Sequence, residues 1–211
     1  MKIKTLSQTV LAAGLALGIS SAVMAAEKKL MSGASASMLS NTCAGCHGTD
    51  GASKGPGTPS ISGLSVEYFV ETMQGFKSGE IPSTIMTRIA KGYTDDEFKA
   101  MATHFGKMKF AHAKQAFDKK LAKKGAKIHD KYCEKCHADG GNNKEDDSGV
   151  LAGQWTPYLK WTLNDYINFV KDGEGDKREP TKKMKKRLKK MLSKKGQAGV
   201  DALLNYYASQ Q

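Results

Sequence analysis

Cys43-Ala44-Gly45-Cys46-His47 and Cys133-Glu134-Lys135-Cys136-His137 decide the reading of this chain. Each is a C-x-x-C-H motif, the attachment signature for haem c. Two cysteines three apart share one face of a helical turn, so both sulfurs can reach the two vinyl groups of one porphyrin. The histidine that follows lies under the iron and supplies an imidazole nitrogen as the proximal ligand. All four cysteines of the chain fall in the two motifs. Two C-x-x-C zinc knuckles usually lie about 15–20 residues apart, whereas 86 residues separate these, and each carries an extra histidine. A thioredoxin-like pair calls for a βαβ context absent from the pattern, and a disulfide framework has no need of a histidine after each pair.

Working outward, the motifs belong to an internal repeat. Cys43 and Cys133 are 90 positions apart, and so are Gly63 and Gly153, Tyr68 and Tyr158, and Thr72 and Thr162. Beyond about residue 163 the offset grows, so the second copy carries an insertion. Each copy reads as a short helix ending in C-x-x-C-H, a Gly-rich loop, a middle helix, a ligand loop and a terminal helix. In the first copy the loop spans Gly48 to Gly63, the middle helix about Val66–Lys77 and the final helix about Asp95–Phe105. Thr94 and Glu97 form the signature of a capping box at the start of that last helix. In the second copy the helices fall at about Lys119–Lys131, Pro157–Val170 and Ala198–Ala208. No run of period-two alternation predicts a sheet, so the fold class is all-α.

The chain opens with Lys2 and Lys4, an apolar run from Val10 to Ala22 and the small residues Ala25-Ala26. That order is a secretory signal peptide, too short and too broken by Gly14 and Gly18 for a span of about 20 residues. The expected organisation is a signal peptide at 1–26, a haem domain at 27–108, a linker at 109–117 and a second haem domain at 118–211. The expected location is the periplasm, with no membrane span in the mature chain. The 33 Lys+Arg against 21 Asp+Glu give +12, and a mature chain without Lys2 and Lys4 keeps +10. In an exported chain this balance predicts acidic protein partners rather than nucleic acid.

A low-spin electron carrier fills the sixth iron position, and Met/His ligation raises its potential. Met73 and Met101 lie on apolar helix faces as core filler, and Met108 lies in the linker. Met86, in the irregular Ile81–Arg88 stretch, is the choice in the first copy. In the second copy Met184 is the choice, with Met191 seven residues on as the alternative. His104, His112 and His129 read as surface or half-buried residues, with a bis-histidine haem as the sharper alternative.

The stretches Ile85-Met86-Thr87-Arg88-Ile89-Ala90-Lys91-Gly92-Tyr93, Gly149-Val150-Leu151-Ala152-Gly153-Gln154-Trp155-Thr156-Pro157-Tyr158-Leu159 and Ala202-Leu203-Leu204-Asn205-Tyr206-Tyr207-Ala208-Ser209-Gln210 carry a resemblance. The mature chain resembles the dihaem cytochrome subunit of flavocytochrome c sulfide dehydrogenase. The resemblance implies two tandem class I cytochrome c-like domains. It implies haem bonds at Cys43, Cys46, Cys133 and Cys136, and iron ligands His47, Met86, His137 and Met184. In related domains a proline carbonyl holds the proximal imidazole; Pro59 stands there in the first copy, and Gly149 replaces it in the second. A glycine carbonyl can still accept the histidine N–H.

The function so implied is single-electron relay from a flavoprotein (FAD) subunit to a soluble cytochrome or other acceptor, and the basic charge of the chain predicts that the acceptor is acidic. The free dihaem cytochromes that shuttle electrons to terminal oxidases share the duplication and the Leu-Ala-Gly-Gln pattern of 151–154, and give the alternative reading. No catalytic site is expected in this chain itself. Gly55-Pro56-Gly57 and Gly173-Glu174-Gly175 lack the third glycine and preceding strand of a dinucleotide site. A haem peroxidase would need an open sixth position. Trp155 and Trp161 read as haem-pocket or core residues, and the run Lys182–Lys190 as a solvated face or a docking rim.

Overall fold

The computed structural model describes residues 33–144, 148–173 and 178–211. The expected signal peptide, residues 1–26, lies outside them. Every regular element among the described residues is helical. In the first half these are α1 (Ala36–Asn41), α2 (Ala44–His47), a 3₁₀ turn (Thr49–Gly51), α3 (Val66–Ser78), α4 (Met86–Ala90) and α5 (Asp95–Gly106). The second half holds α6 (Lys119–Tyr132), the turn-like α7 (Ala138–Gly141), α8 (Thr156–Asp172) and α9 (Lys182–Ala208).

The duplication is visible in backbone hydrogen bonds. In the first half the N–H groups of Ile61 and Ser62 donate to the Gly51 carbonyl, and that of Gly63 donates to Phe105. In the second half Leu151 and Ala152 donate to Gly141, and Gly153 donates to Tyr207. The same ties recur 90 residues on, except at the last helix, where the offset has become 102. The insertion therefore lies between residues 153 and 207. It lengthens the middle helix from 13 to 17 residues and adds a helical turn or more ahead of the last.

The local causes are ordinary ones. Ser65 caps α3 through the Tyr68 N–H, and Gly79 closes that helix in the left-handed region. Thr94 and Glu97 make the full capping box of α5, the Thr94 N–H donating to Glu97 Oε2 at 2.7 Å. Each half then buries one apolar cluster. Phe69, Met73, Phe98, Met101 and Phe105 build the first. Ile128, Leu188, Met191, Val200, Leu203 and Tyr207 build the second. Met73 and Met101 are thus the core filler the sequence predicts.

Two expectations are corrected. The last helix begins at Lys182, not near Ala198, and a single break at Gly196 (φ 54°, ψ −152°) divides it. Thr181 caps its start, and Leu188 and Met191 on its inner face are buried, which outweighs the mutual repulsion of its lysines. His129 is not a surface residue: it is 1 % exposed. Its Nε2 lies 2.6 Å from Glu134 Oε2 and its Nδ1 lies 2.9 Å from the Tyr207 hydroxyl. With both ring nitrogens engaged it has no electron pair to give an iron.

The two halves pack on each other. The Gln154 side chain, 3 % exposed, accepts from the Ser60 N–H at 2.9 Å and donates to the Ser60 carbonyl at 3.0 Å. Trp155 donates through Nε1 to the Ser53 carbonyl and lies so close over Gly55 that a Cβ there would meet the indole. Tyr68 covers Gly149 in the same way from the other side. Trp155 is therefore an interface residue, while Trp161 is 57 % exposed. The stretch after α5 straps across both halves. Its Ala111 N–H donates to Ser62 Oγ, Ala113 donates to the Gly153 carbonyl, and Gln115 bonds both Gln154 and Thr156.

Candidate haem-attachment sites

α1 leads into the first C-x-x-C-H and α6 into the second, so each cysteine pair hangs on the end of a helix anchored in its core. In both motifs the backbone closes one helical turn: the histidine N–H donates to the first cysteine's carbonyl at 2.9 Å. That turn places Cys43, Cys46 and His47 on consecutive corners, and Cys133, Cys136 and His137 likewise. All four thiols are free of disulfides. Cys43 packs on the first core and Cys133 on the second, whereas Cys46 and Cys136 are exposed. Burial pushes the Cys43 thiol pKa up, and pushes that of Cys133 up to about 11. Both are therefore held as neutral thiols, poor partners for disulfide exchange.

His47 is buried, and burial lowers its pKa against the opposing pull of its hydrogen bond. Its Nδ1 lies 2.9 Å from the Pro59 carbonyl. With Nδ1 carrying the proton, the other ring nitrogen is left as a neutral donor, in the manner of second-shell partners that fix a ligating imidazole. Gly149, the counterpart of Pro59, has φ 59°, a conformation proline cannot adopt. The change of residue follows from that backbone.

Met86 is the first residue of α4 rather than part of a loop, half-buried and packed on the first core. Its N–H donates to Ser83 Oγ at 3.1 Å. Met184 occupies the matching place in the second half: it lies in the first turn of α9, and its N–H donates to Thr181 Oγ1 at 3.3 Å. Met191 is different. It is 2 % exposed and sealed among the second core's side chains, its sulfur against Gly199. Met108 packs on the first core.

In the first half the donor set fits haem c: two thiols one turn apart, an imidazole steered by the Pro59 carbonyl, and a thioether at the start of a short helix. Sequence reasoning missed the polar chain Glu134–His129–Tyr207, in which His129 and Tyr207 are buried and Glu134 reaches the surface. Its partners lie up to 78 positions apart, and the matching first-half positions are Leu39, Ala44 and Phe105.

No family model matches the chain. Among known proteins, the cytochrome subunit of sulfide dehydrogenase from Chlorobaculum tepidum is 49% identical over 71 residues, 34% of this chain and 64% of that subunit's own length. Cytochrome c-553 of Nitratidesulfovibrio vulgaris is 32% identical over 100 residues, 46% of this chain and 89% of that protein. Cytochrome c4 of Pseudomonas stutzeri superposes with a TM-score of 0.65 at 23% identity, over 84% of this chain and the whole of that one. Motif, duplicated fold and relatives agree: the chain belongs to the c-type cytochromes, as an electron-transfer protein of two cytochrome c-like halves that each bind haem c covalently.

Proposed function

We propose that this chain is the exported electron-transfer subunit of a sulfide-oxidising flavocytochrome. In this reading it takes single electrons from a flavoprotein subunit and passes them to a soluble acceptor. The observation that carries the reading is the 49% identity to a sulfide dehydrogenase cytochrome subunit. Haem iron supplies the one-electron Fe(II)/Fe(III) couple. The chain's own residues do the rest: Cys43, Cys46, Cys133 and Cys136 hold the cofactors, His47 and His137 ligate from one side, and Met86 and Met184 from the other. Thioether ligation sets a potential suited to accepting electrons from a flavin. Two single-electron sites also match the two electrons released when sulfide becomes zero-valent sulfur.

The surface is compatible with a permanent partner at the first half. Met38 on α1 is 62 % exposed, and Ile85 and Ile89 at α4 are 63 % and 39 % exposed. These apolar side chains sit on the elements that lead into Cys43 and carry Met86. Obligate interfaces are apolar in this way. The signal peptide puts the complex in the periplasm, and the domains run 27–108 and 118–211 around the strap.

Purification of the native protein from a periplasmic extract, followed by flavin and haem analysis, tests this reading. One flavin for every two haems, retained through purification, is the expected result. Two haems with no flavin and no companion chain would make the protein a free dihaem carrier.

A further inference from the structure

The positive charge of this protein is concentrated on two neighbouring helices. α6 carries six lysines and one aspartate, and residues 182–195 of α9 carry nine cationic side chains and no acidic one. Together they hold a net +14. The other residues of 118–211 carry six cations against twelve acids. The excess is therefore a face and not a general surface property. All fifteen cations are exposed except the half-buried Lys185.

This face has a seat and a position. A groove between α6 and α9 has an apolar floor that includes Ile128, Tyr132 and Ala202, and Lys124, Lys131 and Lys195 stand on its rim. Arg187 Nη1 donates to the Lys131 carbonyl at 3.4 Å, and the Lys131 ammonium lies 5.7 Å from the centre of the Tyr132 ring. Tyr132 directly precedes Cys133, and Cys136 is exposed. The cationic face thus runs up to the second attachment site. Among the described residues the helices flanking the first attachment site carry no such run: α1 bears no charge, and α4 bears Arg88 alone.

We propose that the α6–α9 face is the docking surface for an acidic redox protein, which sets carboxylates on the lysine rim and an apolar side chain in the groove. It takes one electron per encounter at the Cys133–Cys136 end: Fe(II) becomes Fe(III), the acceptor is reduced by one, and no atom is transferred. The inference rests on the relay reading and adds the exit surface to it. An anionic membrane is the poorer occupant, because Leu188 and Met191 turn inward into the core and leave no apolar stripe for insertion.

The test uses the purified holoprotein with any bound partner retained. It is reduced with dithionite and mixed in stopped flow with an oxidised acidic plastocyanin as probe. The variant K186E/K189E/K190E lies on the face. K99E/K107E/K109E makes the same change of net charge on exposed positions away from this face. At low salt the face variant is expected to transfer electrons about tenfold more slowly or worse, since steering raises association by about 10 to 10³. The control is expected to stay within about twofold, and the wild-type rate to fall steeply with ionic strength. Equal losses in both variants would overturn the proposal, as would an unchanged rate in the face variant. Binding of phosphatidylglycerol vesicles lost in the face variant while plastocyanin transfer is kept would overturn it in favour of a membrane. An unaltered visible spectrum checks that each variant is folded. Because reduction is chemical, this test stands whatever the flavin analysis gives.

Discussion

Replacing Met184 with alanine is expected to open one of the two irons to carbon monoxide and to lower that haem's potential, whereas Met191→Ala leaves both irons closed. Met184 and Met86 share a local construction. Each sits in the first turn of a helix with its N–H held by a hydroxyl three residues earlier, at 3.3 and 3.1 Å. That bond fixes the backbone and leaves a half-buried thioether able to turn. Methionine is a weak neutral donor that favours Fe(II), so its loss favours Fe(III). Met191 is packed at 2 % exposure in the core, and its truncation leaves a cavity that costs about 2–5 kcal/mol. The two variants therefore separate by readout: carbon monoxide difference spectra of the reduced protein report Met184, and thermal melts report Met191. A carbon monoxide adduct in Met191→Ala but not Met184→Ala would reverse the assignment.

The second large effect is structural. Gly125→Val is expected to destabilise the second half by about 3 kcal/mol or more, read as a loss of melting temperature and of haem incorporated. Gly125 lies where α6 crosses α9, and a Cβ there would overlap the Ala202 carbonyl and stand 2.6 Å from the Tyr206 Cβ. Backbone of a packed helix cannot step aside as a long side chain does, so the added atoms force the two helices apart. Overpacking of a tight core typically costs about 1–3 kcal/mol where side chains can adjust. The damage spreads to the site, because α6 ends at Cys133 and carries His129 against Tyr207. Gly173→Ala has open space around it and serves as the mild control: its left-handed φ of 79° carries strain of about 1 kcal/mol. A Gly125→Val protein that melts like the wild type would show that the helices at this crossing can part without cost.

Local chemistry in this chain was legible in the sequence, and distant pairing was not. The C-x-x-C-H turns, the capping box at Thr94–Glu97 and the middle helices announce themselves within a few residues, and their observed bounds lie within two residues of those read from periodicity. The long last helix was hidden by composition. Nine cations and Gly196 obscure the inward Leu188 and Met191, which hold the helix only once the rest of the core exists. The bond of Gln154 to Ser60 spans 94 positions, and His129 finds Tyr207 across 78; neither leaves a periodic trace. The repeat itself was readable, because duplication copies spacing. What it could not foretell is that Leu39, Ala44 and Phe105 would give way to a hydrogen-bonded chain of His129, Glu134 and Tyr207 in the second copy.

One chain is expected to carry two haems, each bound through its own pair of cysteines. The mass of the native protein under denaturing conditions decides this, because thioether-linked haem survives unfolding and non-covalent haem does not. The expected result is the mass of a chain beginning near Glu27 plus two haems, with digestion placing one haem on a peptide containing Cys43 and Cys46 and the other on a peptide containing Cys133 and Cys136. A mass with one haem or none, or the four cysteines recovered as disulfides, would contradict it.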